Sequence, residues 1–94
     1  MQMITRIFEV EGHEGQHVSM GLTVPSVQPA GEWACTVQIL VGNETPEESV
    51  AYGEDPLQAL LLGVQLASIL LRNVERRMGW RLLWFGSTDW GLGV

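Results

Sequence analysis

The segment from Asp55 to Gly79 constrains this chain most. It carries start and stop signals for one long helix. Asp55 is a residue type that caps a helix, Pro56 takes the first helical position, where a missing N–H is harmless, and Gln58 stands where a capping-box partner reaches back. The pattern runs to Met78. Gly79 then supplies the left-handed residue that ends helices, and Arg72, Arg76 and Arg77 suit the negative end of the helix dipole. Leu57, Leu60, Val64, Ala67, Leu71, Val74 and Met78 make a main apolar stripe. Leu62, Leu66, Ile69 and Leu70 make a second stripe on the other side, and only Gln58, Gln65, Arg72 and Arg76 form a polar band. A helix lying on a sheet needs one stripe, so the second requires a cover. Two covers are expected: the C-terminal tail with Trp90 and Leu92, or a second copy, giving a homodimer. Gly63 and Ala59 flank the stripe and permit close approach.

The residues before the helix alternate with the period of strands. In 3–11, Ile4, Phe8 and Val10 share a face on which Arg6 is out of place. In 17–24, Val18, Met20, Leu22 and Val24 oppose His17, Ser19, Gly21 and Thr23; in 33–41, Trp33, Cys35, Val37, Ile39 and Val41 oppose Ala34, Thr36, Gln38 and Leu40. Pro25 and Pro29 end the second strand. Ser49 to Tyr52 can add a short fourth strand, and Trp80 to Phe85 reads as a last one, with Trp80, Leu82 and Trp84 on one face. Ser87 to Val94 is a Gly-rich tail. The expected fold is α+β over 1–94: an antiparallel β-meander of three or four strands, one long α-helix packed on it, and a short C-terminal strand. The helix stripe should cover Val18, Met20, Leu22, Cys35, Val37 and Ile39.

Charge sets the partner class. The chain has a net charge of −6 and no lysine. Residues 1–55 hold nine acidic side chains against Arg6 alone; residues 56–94 hold Glu75 and Asp89 against four arginines. A negative balance disfavours nucleic acid, whose binding is driven by neutralising phosphates. The run Leu57 to Leu71, interrupted by Gln and Ser, reads as too short to span a bilayer, so no membrane partner is expected. The start Met1-Gln2-Met3 lacks the features of a signal peptide, which points to the cytoplasm. Only 17% of residues are charged, leaving apolar surface for a protein contact.

No catalytic set stands out. His13, His17 and Cys35 match no zinc spacing. Cys35 lies on the apolar side of its strand, where a free thiol is a small hydrophobe. Nothing in the spacing of the carboxylates selects an acid–base pair, and the glycines of 86–93 lack the lysine and helix of a phosphate loop. The expectation is a non-enzymatic protein-binding module without cofactor or metal. Its acidic connection, with Glu44, Glu47, Glu48 and Glu54, would steer in a basic partner, and Trp90 is the tryptophan expected at the surface. The alternative is a small-ligand-binding protein or enzyme with a pocket between helix and sheet, near Tyr52, His17 and Trp84.

The run Gly53-Glu54-Asp55-Pro56-Leu57-Gln58-Ala59-Leu60 resembles the Gly-x-Asp-x-x-Gln-Ala-Leu helix start of a family of small uncharacterised bacterial α+β domains. In that family a meander with a Trp-x-Cys strand precedes the helix, and a short Trp-containing strand and Leu-Gly tail follow. The counterparts here are Trp33-Ala34-Cys35, Leu83-Trp84-Phe85-Gly86 and Leu92-Gly93. The resemblance implies the same fold and carries no activity. Domains of this look also occur among immunity proteins of bacterial toxin systems, an analogy of fold.

Overall fold

A computed structural model describes residues 2–93. The strands are β1 (Met3–Val10), β2 (His17–Thr23), β3 (Ser26–Val27), β4 (Trp33–Val41), β5 (Glu47–Gly53) and β6 (Leu82–Leu83), with the helix α1 (Pro56–Met78) between β5 and β6. The α+β expectation holds: an antiparallel six-stranded sheet carries one helix, and the short last strand adds to the far edge. β4 lies between β5 on one side and β2 and β3 on the other, and β1 links β2 to β6.

The strand β3, missed in the sequence, continues β2 across a bulge. Leu22 pairs with Val37 and Ser26 with Ala34, so three residues on one strand oppose two on the other. Pro25 sits in the bulge, where it gives up no ladder bond. Thr23 repairs the ladder with its side chain: its Oγ1 accepts from the Thr36 amide at 2.8 Å, and its carbonyl accepts from the Cys35 thiol at 3.3 Å.

The helix begins as its sequence dictates. Asp55 Oδ1 accepts from the Gln58 amide at 2.7 Å, and Gln58 Oε1 reaches past the cap to accept from the Glu54 amide at 2.6 Å. Gly79, at φ 68°, closes the other end. The helix packs mainly on β4 and β5, and touches β2 less. Its close approach depends on small residues. A Cβ on Gly53 would lie 2.4 Å from the Ala59 amide nitrogen, and one on Gly63 would lie 2.7 Å from Cys35 Sγ.

That approach rotates the helix from the expected stripe. Ala59, Gly63, Ala67, Leu70, Leu71 and Val74 are buried, so Leu70, assigned to the second face, belongs to the core. Leu57 and Met78, assigned to the core stripe, are exposed, and Leu60, Val64 and Leu66 are half-buried against the core. The core joins this face to Val18, Met20, Leu22, Cys35, Val37 and Ile39 from the sheet, as expected, and adds Phe8, Leu82 and Trp90. By length and composition the helix could cross a membrane, so the interruptions by Gln and Ser do not make it too short; here one face is built into the core.

Trp80 to Phe85 is not one strand. Only Leu82 and Leu83 pair with β1, and Trp84 to Ser87 close a tight turn. Phe85 and Gly86 form its tip with φ of 50° and 75°, the two positive angles of a primed hairpin turn.

Candidate functional site

The tail and β1 settle where the tryptophans go. Arg6, the odd residue of β1, lies on the inner face in register with Met20 and Ile39. No helix covers it there. Its guanidinium donates to the Trp90 carbonyl at 2.6 Å and stacks 4.0 Å from the Trp84 ring. Trp90 packs edge-on against Phe8 at 5.2 Å, donates from Nε1 to the Leu82 carbonyl at 3.0 Å, and lies 3.8 Å beneath the Arg72 guanidinium. Trp90 is therefore 3% exposed, which corrects its assignment to a partner-binding surface. An indole whose N–H has a carbonyl partner can be buried without penalty. The tail fills the space between helix and β1, on the helix flank of Arg72, and leaves Leu62 and Ile69 uncovered.

The four carboxylates fall along β5 rather than in one cluster. Glu44 is in the β4–β5 turn, Glu47 and Glu48 open the strand, and Glu54 follows its end. β5 is the edge of the sheet next to β4 and runs seven residues. Glu47 faces Arg77 at 4.0 Å, and Glu48 Oε2 accepts from Gln38 Nε2 at 3.3 Å. Between these acids Val50 and Tyr52 stand exposed on the outer sheet face, over a groove shared with Thr23, Val24, Gln28 and Thr36. Sequence reading took residues 42–53 as a polar connection with a short strand. It missed this edge because an edge is a matter of pairing order, which local pattern does not carry.

The outward face of α1 is a second exposed apolar surface, beside scattered exposed residues such as Ile4 and Ile7 on β1. Leu57, Leu61, Leu62 and Ile69 are exposed there, Ile69 at 57%. Of the proposed self-association set, Leu62 and Ile69 are on this face, Leu66 is half-buried and Leu70 is inside; Leu61 joins them. Arg72 and Arg76 continue the face toward the C-terminus. Arg72 pairs with Glu75 at 2.8 Å, and Arg76 donates to Asn73. Phe85, at the tip of its turn, is 87% exposed, where the sequence pattern predicts the end of a strand.

The chemistry-bearing side chains do not converge. Tyr52 and His17 lie on the outer face at opposite ends of the sheet, and Trp84 lies on the inner flank, so the pocket expected near these three is not formed. Among the described residues, no group of three or more His, Cys, Asp or Glu side chains is placed to hold a metal ion. Burial pushes the Cys35 thiol above its ordinary pKa of 9.0, and the bond to Thr23 offsets only part of this, so the sulfur is not poised as a thiolate.

A family described as a domain of unknown function, DUF6968, matches residues 4–94. The chain belongs to the DUF6968 family. No curated protein and no solved structure matches it. The match spans both the β5 edge and the tail that packs on Arg6, so in DUF6968 terms each is part of the domain and neither is an appendage.

Proposed function

We propose that this DUF6968 domain is a non-enzymatic protein-binding module whose partner docks along β5. The observation that carries the reading is the edge itself: seven residues, hydrogen-bonded on one side to β4, with exposed Val50 and Tyr52 between Glu47, Glu48 and Glu54. An unpaired edge is a template for another chain, and proteins ordinarily blunt one with charged side chains, lysine above all, prolines or bulges; the exposed charges of this strand, Glu47 and Glu48, are both at its start. Here the lysines are absent from the whole sequence, and the prolines, Pro46 and Pro56, stand outside the strand. The side chains that remain are acidic, so the fitting partner is a basic, extended segment. Main-chain bonds along the edge would supply affinity, and the pockets around Tyr52 and the carboxylates specificity. Acidic ends also raise the association rate with a positively charged protein. An inhibitor that neutralises a basic toxin, as bacterial immunity proteins do, is one concrete form of this function.

The test compares capture from the cell of origin by the native chain and by a Glu48→Lys, Tyr52→Lys, Glu54→Lys variant, at low and high salt. All three side chains are exposed, so the variant should fold. A basic protein held by the native chain, weakened by salt and lost with the variant, is the expected result. Equal capture by both chains overturns the β5 assignment.

A further inference from the structure

We propose that the outward face of α1 is a contact between two copies of this chain, packed antiparallel about a two-fold axis at Gln65. The face has a symmetric order. Gln65 lies at its middle, with Leu61 four residues before and Ile69 four residues after. Gln58 and Arg72 stand seven residues to either side, and Glu54 and Arg76 eleven. Gln58, Leu61, Gln65, Ile69, Arg72 and Arg76 recur at intervals of three and four within α1, so they share one side of the helix, and Glu54 stands just before the cap Asp55 at its start. Leu61 and Ile69 are exposed, and Leu62 adds to the same surface.

Turned about Gln65, such a face is complementary to itself. Leu61 meets Ile69 of the second copy, and Glu54 at the start of one helix meets Arg76 at the end of the other. The dipoles of the two helices then run opposite ways, which places each acidic start beside a basic end. A parallel arrangement would put Arg76 against Arg76 and Glu54 against Glu54. The Glu54 carboxylate has no partner among the described residues, and Arg76 bonds only the neutral Asn73 side chain, so both charges remain for an external pair. An isologous two-fold contact needs this kind of self-complementarity. The contact is on the side of α1 away from the sheet and shares only Glu54 with the proposed docking edge, so the Leu61 and Ile69 changes, which leave β5 and Glu54 untouched, test it apart from the proposed function.

Sedimentation equilibrium of the full chain over a wide concentration range tests it. The native chain should be dimeric at high concentration. Leu61→Glu with Ile69→Glu should weaken association about a hundredfold or more, because it places charge at the centre of the contact. Glu54→Arg alone and Arg76→Glu alone should each weaken it about tenfold, and the double reversal should restore it. Far-UV circular dichroism checks that each variant keeps its helix. A native chain that stays monomeric overturns the proposal, as does a dimer indifferent to the Leu61 and Ile69 changes. A double reversal no better than the single ones overturns the antiparallel register.

Discussion

The two flanks of α1 carry similar side chains and meet opposite fates. On the flank toward β1, the tail brings Trp90 onto Phe8 and under Arg72, and Trp84 onto Arg6. On the outward and β5 sides, Leu62 and Ile69 are exposed, beside an edge strand that pairs with β4 alone among the described strands. The difference teaches that Trp84 and Trp90 serve the fold. The surface left for a partner includes Leu61, Leu62 and Ile69 on the helix, Val50 and Tyr52 among carboxylates on β5, and Phe85 at its turn.

Substitutions on the two flanks should therefore differ sharply. Trp90→Ala should have the largest effect, a loss of about 3–5 kcal/mol in urea unfolding, as for other large aromatic truncations in cores. A loss below about 1 kcal/mol would mean that the tail is loosely held, and the contrast would fail. Gly53→Ala should come next, at about 2–3 kcal/mol, because its Cβ meets the backbone at Ala59 and no side-chain rotation relieves it. Ile69→Ser should change the stability of the dilute protein least, by no more than about 0.5 kcal/mol, since the side chain is already in water. A large loss there would show the outward face to be covered within one chain.

Much of the fold was legible. The alternation in 17–24 and 33–41 located β2 and β4, and Asp55, Pro56 and Gly79 located both ends of the helix to the residue. The rotation of the helix was not, because apolar residues nearly encircle it and hydrophobicity alone selects no side. The informative signal was size. Ala59, Gly63 and Ala67, four residues apart, mark the row that approaches the sheet most closely. The placement of Trp90 was hidden for another reason. It depends on Arg6, 84 residues away, and no local pattern reports a contact of that separation. Arg6 itself was the clue: a cation at an inward position of a strand requires acceptors, and the tail supplies the Trp90 carbonyl while the turn after β6 supplies the Trp84 indole face. The candidate site was legible in its charges, Glu44 to Glu54, and not in its geometry, since the edge position of β5 follows from sheet order.

Hydrogen exchange tests the central claim most directly, that the partner docks on β5 and the tail is internal. The native chain would be followed by mass spectrometry alone and bound to the basic protein it captures. Alone, amides around Leu82 and Trp90 should exchange slowly, and the outward amides of 47–53 should exchange fast. On binding, protection should rise across 47–53 while residues 80–93 stay unchanged. Protection that rises in 80–93 and leaves 47–53 as before would contradict the account.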